Sequence, residues 1–126
     1  MRILIVDDSR IMQAGMKRAL VNAGHEVTVA GDGKEGLIAA RETLPDLILL
    51  DMMLPMMSGT EVLSALKMEA STKEIPIFVL TGLSQKNEDK LLHAGAAKYF
   101  EKSNHLLEHN FAALIEAVGQ CNAKHV

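Results

Sequence analysis

Residues 3–9 read Ile3-Leu4-Ile5-Val6-Asp7-Asp8-Ser9: four apolar residues, three of them β-branched, then two carboxylates and a hydroxyl. An unbroken apolar run of this length has no amphipathic alternation. It fits a strand covered on both faces, the environment of a parallel sheet flanked by helices. Similar runs recur along the chain as Val27-Thr28-Val29-Ala30, Leu47-Ile48-Leu49-Leu50, Ile77-Phe78-Val79-Leu80 and, more weakly, Tyr99-Phe100. Each pair of runs is separated by enough chain for one helix and two turns.

The intervening stretches carry helical stripes. Met12, Met16, Ala19 and Ala23 form one, ending at Gly24; Val62, Leu63, Leu66 and Ala70 form another. Leu107, Phe111, Leu114, Ile115 and Val118 form the clearest, at spacings of three and four. Gly31-Asp32-Gly33, Pro45-Asp46 and Glu74-Ile75-Pro76 mark boundaries. The expected fold is α/β, a doubly wound (βα)5 unit with a five-stranded parallel sheet and helices on both faces.

Length and composition agree. The chain has 126 residues, 48% hydrophobic and 23% charged, a globular mix with room for one core. Thirteen basic against sixteen acidic residues leave a net charge of −3, the wrong sign for an electrostatic nucleic-acid binder. The single cysteine, Cys121, cannot form an internal disulfide, which suits a reducing compartment. No apolar run is long enough to span a bilayer, and aspartates interrupt the first run too soon for a signal peptide. A cytoplasmic domain over residues 1–120 with a short tail over 121–126 is expected, binding neither nucleic acid nor membrane.

Four of the five runs end in polar residues: Asp7-Asp8, Asp51, Thr81 and Glu101-Lys102. In a parallel sheet all these ends open on one edge, so the residues converge. Three carboxylates at one place repel, and a hard divalent cation such as Mg2+ offsets them economically. With Lys102 and the Thr81 hydroxyl alongside, the set suits formation of an acyl phosphate on Asp51. Taken singly each residue has a plainer role: Asp8 or Ser9 as a helix cap, Asp51 as a turn residue, Thr81 as a cap, Lys102 as a solvated loop lysine. Their shared position and complementary chemistry favour the joint reading.

Ile5-Val6-Asp7-Asp8-Ser9, Leu49-Leu50-Asp51-Met52-Met53-Leu54-Pro55, Ser58-Gly59, Leu80-Thr81-Gly82 and Tyr99-Phe100-Glu101-Lys102, in that order, resemble a response-regulator receiver domain, the phospho-acceptor module of two-component signalling. The likeness covers about residues 2 to 119. It implies the strand order 2-1-3-4-5, with ligands at the switch point between strands 1 and 3. It implies Asp51 as the phosphorylated aspartate, with Asp7, Asp8, Asp51 and the carbonyl of Met53 as the Mg2+ ligands. Thr81 and Lys102 would hold the phosphoryl oxygens, and Gly82 would leave their access clear. Thr81 and Tyr99 would form the switch, altering the surface made by the fourth helix, fifth strand and fifth helix. Met53 and Leu83 would flank the attacking water, and Gly59 would serve the turn into the third helix.

The family commonly has Lys-Pro with a cis bond at the end of the fifth strand, whereas this chain has Lys102-Ser103. A cis bond before a residue other than proline costs about 3–4 kcal/mol, so a differently shaped loop is expected. Four methionines between Met52 and Met57 are expected mainly to pack in the core, with an adaptable contact surface as the alternative.

The implied partners are a histidine kinase or histidine phosphotransfer protein and an unknown downstream protein, the chain acting as a monomer or weak phosphorylation-dependent dimer. Its chemistry would be on itself alone, which makes it no enzyme in the usual sense. A receiver belonging to a longer multidomain regulator or hybrid kinase is the first alternative. An aspartate-nucleophile phosphatase is remote, since the loop reads Asp7-Asp8-Ser9-Arg10 and not DxDxT or DxDxV. A flavodoxin-like carrier would need a phosphate loop where two aspartates stand. His105 and His109 lack a third metal ligand, and no glycine-rich nucleotide loop is present.

Overall fold

The computed structural model describes residues 1–82, 94–102 and 111–123. Five strands, β1 (Arg2–Val6), β2 (Glu26–Ala30), β3 (Leu47–Asp51), β4 (Ile77–Thr81) and β5 (Lys98–Glu101), form one parallel sheet in the order β2-β1-β3-β4-β5. The expected fold class and strand order are both present. The described helices are α1 (Arg10–Asn22), α2 (Gly33–Thr43), α3 (Gly59–Met68) and α4 (Ala112–Ala123). This α4 is the fifth helix of the sequence reading, whose fourth falls between β4 and β5, outside the described residues. Leu83, Ser103, His105, Leu107 and His109 also lie outside them.

Burial explains the sequence pattern. Every residue of β3 and β4 is buried, and all of β1 after Arg2, so these strands read as unbroken apolar runs. The edge strands β2 and β5 expose Glu26, Thr28, Lys98 and Glu101, charged or polar groups that discourage pairing with another chain. On one face Leu4, Val6, Ile48, Leu50 and Val79 meet Leu37 and Ala40 of α2 and Val62, Leu63 and Leu66 of α3. On the other, Ile3, Ile5, Leu49, Phe78 and Leu80 meet Met12, Met16 and Leu20 of α1 and Leu114, Ala117 and Val118 of α4.

Side-chain oxygens cap the first three helices. Ser9 accepts from the Met12 N–H, Asp32 from Glu35 and Ser58 from Glu61. Two stripe residues differ from expectation. Ala23 is the exposed C-cap of α1, so Leu20 completes its buried row; Ala70 is exposed beyond the end of α3. Among the described residues no helix is long and apolar enough to cross a membrane.

Candidate functional site

The sheet edge brings the expected residues together. Asp7 follows β1, Asp51 and Thr81 end β3 and β4, and Lys102 follows β5. Asp7 and Asp51 are 0% and 1% exposed, and Thr81 is fully buried. Each buried carboxylate is held by its own turn. Asp7 Oδ1 accepts the Ser9 N–H at 2.9 Å, and Asp51 Oδ1 accepts the Met53 N–H at 2.9 Å. Their Oδ2 atoms turn to Lys102, whose Nζ stands 2.8 Å from Asp7 and 3.0 Å from Asp51. Lys102 is fixed from its own backbone, its N–H donating to the Thr81 carbonyl at 2.8 Å.

The exposed Asp8 completes the acidic group. Asp7, Asp8 and Asp51 can each present one carboxylate oxygen, all within 4.8 Å of one another. Ser9, not Asp8, caps α1, so the plain capping role for Asp8 does not hold. Among the described residues Asp7 Oδ2 is buried and receives no directed hydrogen bond, its close neighbour being the charged Lys102 ammonium.

Burial raises the pKa of Asp7 above the usual value, helped by the Asp51 charge; Lys102 and the Ser9 N–H oppose the shift. Burial works to lower the pKa of Lys102, but the Asp7 and Asp51 carboxylates outweigh it and the net shift is upward. The ammonium is thus kept charged between two acids.

The surroundings fit these roles unevenly. Gly82 is exposed, and among the described residues a Cβ there would meet no atom within 4 Å. Tyr99 pairs with Val79 and packs, half-buried, on the Val79 face, which Thr81 continues by strand alternation. Gly59 has a different reason from the one expected. It is the first residue of α3, and a Cβ would stand 2.4 Å from the Met52 Cα and 2.6 Å from the Asp51 carbonyl oxygen. Close approach, not turn conformation, requires glycine.

The methionines divide: Met52 is buried and Met57 half-buried in the core, but Met53 and Met56 are exposed, against the core expectation. Sequence reasoning missed Gln13, whose side-chain amide donates to the Asp7 carbonyl. Its position four residues after the capping Ser9 was the available signal.

The chain matches the response regulator receiver domain family over residues 3–111. The transcriptional regulatory protein PrrA of Mycobacterium leprae is 39% identical over 102 residues, which cover 80% of this chain and 43% of PrrA. The chain therefore spans less than half the length of that relative. Among solved structures, the receiver domain of the Francisella response regulator 1452 aligns at a TM-score of 0.85 with 26% identity, covering 99% of this chain and 98% of that one. The phosphorylated cyanobacterial phytochrome response regulator RcpA aligns at 0.80 with 30% identity, covering 93% and 89%. A match that begins in β1 and reaches the start of the last helix takes in every strand that positions the converging side chains, and the chain belongs to the receiver-domain family of two-component response regulators.

Proposed function

We propose that the chain is a phosphorylation-dependent signalling switch in which Asp51 accepts a phosphoryl group from a histidine kinase or histidine phosphotransfer protein. The observation that carries this reading is the Lys102 ammonium held between the buried carboxylates of Asp7 and Asp51 at one edge of the sheet. An Asp51 oxygen attacks phosphorus in line; the phosphorus–nitrogen bond to the donor's imidazole breaks as the phosphorus–oxygen bond forms, and the imidazole takes up a proton. Lys102 and the Thr81 hydroxyl donate to the phosphoryl oxygens. Attack of water on phosphorus later returns the Asp51 carboxylate and inorganic phosphate.

The residues present fit Mg2+: three carboxylates converge, and among the described residues one buried oxygen of Asp7 lacks a directed donor. Asp7, Asp8, Asp51 and the Met53 carbonyl would hold the ion. When bound, Mg2+ supplies neutralising charge between these carboxylates and the incoming phosphoryl group. Thr81 and Tyr99 share one face of the sheet, which supports their joint role as the switch. The length of PrrA favours a second reading of scale, not of chemistry: the chain is the receiver of a longer multidomain regulator.

Intact mass tests the proposal. With acetyl phosphate and Mg2+ the mass rises by one phosphoryl group, and Asp51→Asn abolishes the rise. Equal labelling of that variant overturns the assignment. Asp8→Ala should weaken Mg2+ binding in a calorimetric titration while the thermal melt is held, because Ser9 keeps the cap. Unchanged Mg2+ affinity removes Asp8 from the ligand set.

A further inference from the structure

Six of the chain's eight methionines are either buried or largely exposed. Met12, Met16 and Met52 are buried, while Met53, Met56 and Met68 are 61%, 100% and 83% exposed. Two of these three exposed thioethers lie in the loop after Asp51. Met56 is the extreme. The Met57 N–H donates to the Pro55 carbonyl at 2.7 Å, closing a γ-turn around Met56 at φ 67°. That turn is strained in a residue with a Cβ, and it leaves the side chain wholly in solvent with no packing in return. Met53 touches the acceptor itself, since its N–H donates to Asp51 Oδ1. Asp51 is 1% exposed and Met53 is 61% exposed, so the residue whose backbone bonds the buried carboxylate lies at the surface beside it.

We propose that Met53 and Met56 are an oxidation site for hydroperoxides, and that the sulfoxide at Met53 shortens the life of the acyl phosphate on Asp51. The rate effect rests on the phospho-acceptor reading above. The thioether sulfur attacks a peroxide oxygen; the sulfur–oxygen bond forms, the oxygen–oxygen bond breaks, and the oxygen left behind takes a proton as water or alcohol. Sulfur is oxidised by two electrons and the peroxide is reduced. A thioether is a weak hydrogen-bond acceptor, whereas the sulfoxide is polar. A sulfoxide oxygen at the surface beside Asp51 accepts a hydrogen bond from incoming water and orients it. One such bond in the transition state corresponds to about tenfold in rate.

The test treats the whole chain with graded hydrogen peroxide, removes the oxidant, and maps added oxygen by peptide mass. The same samples are then phosphorylated with acetyl phosphate and Mg2+, and decay is followed by intact mass after the donor is removed. Met53, Met56 and Met68 should gain oxygen before Met12, Met16 and Met52. Decay should accelerate by about tenfold in the oxidised parent. Each variant is compared with its own untreated form: the acceleration should vanish in Met53→Leu and persist in Met68→Leu. Unchanged decay at full conversion of Met53 overturns the proposal. So does acceleration that survives in Met53→Leu, acceleration that tracks loss of the thermal melt, or equal oxidation of buried and exposed methionines. If untreated protein takes up no phosphoryl group, the phospho-acceptor reading falls and the rate effect with it, while the oxidation map is still read independently.

Discussion

Asp51 and Lys102, 51 positions apart in the chain, meet at 3.0 Å on one edge of the sheet. The contact exists because β3 and β5 run parallel on either side of β4, so that sheet order does what proximity in sequence could not. Lys102→Ala would leave two buried carboxylates facing each other without a cation. Removing one partner of a buried ion pair costs on the order of 3–5 kcal/mol. The Lys102 side chain is 20% exposed, so the loss should fall at the low end. Mg2+ should then stabilise the variant more than the parent, and urea melts with and without the ion measure both. Equal Mg2+ stabilisation in the two proteins would contradict the shared role of ammonium and metal.

The raised pKa of Asp7 makes stability depend on pH. Burial, aided by Asp51, lets the folded chain hold this proton more tightly than the unfolded chain. The contribution is therefore full below pH 3.8, the ordinary value, and is lost as pH rises through the folded value. Lys102 has the same sign at the other end of the scale: its contribution is present below pH 10.5 and lost above its raised folded value. Asp7→Asn should raise the melting temperature at pH 7 in Mg2+-free buffer, and the difference should shrink toward pH 3.8. A gain that does not vary with pH would point to packing instead.

Gly59→Ala tests how the acceptor strand is held. The new Cβ would press on backbone atoms of Asp51 and Met52, which cannot rotate away as a flexible side chain can. Overpacking of this kind costs about 1–3 kcal/mol. Because the strain falls on the acceptor itself, phosphoryl uptake should slow in addition to the loss seen in denaturant melts. Normal uptake in a destabilised variant would show that the strand end absorbs the push without moving its carboxylate.

For the switch, amide resonances with and without the phosphoryl mimic beryllofluoride should change across residues 94–102 and 111–123, besides the loops near Asp51. Tyr99→Ala should keep phosphoryl uptake and shrink the remote changes, since a ligand shifts an equilibrium only through its differential affinity for two states. Changes confined to residues near Asp7, Asp51 and Thr81 in the parent would remove Tyr99 from the switch.

Much of this architecture was legible in the sequence. Strands covered on both faces need no polar positions, so Ile3–Val6, Leu47–Leu50 and Ile77–Leu80 stood out as unbroken runs. The residues ending them converge by topology alone. What was not legible depended on contacts across space. Ala23 and Ala70 fit a helical period, yet each stands at or past a helix end, where periodicity stops implying a buried face. The need for glycine at 59 came from the backbone of Asp51 and Met52 pressing on it, and nothing in the spacing of Ser58-Gly59 records that distance. Met53 and Met56 are as apolar as Met52 but exposed, and the left-handed backbone at Met56 is a feature that residue type does not record.

β3 is hydrogen-bonded to β1 on one side and to β4 on the other. Its terminal carboxylate, held also by the Met53 N–H and Lys102, therefore has little travel of its own, and a phosphoryl donor of the kind proposed must be brought to it. Under the proposed function, selection between donors, and the time a signal lasts, then fall to the loops around a fixed nucleophile. Substitutions in those loops can then alter donor choice without moving the acid they surround. The immobility of one strand is what leaves its neighbourhood free to specialise.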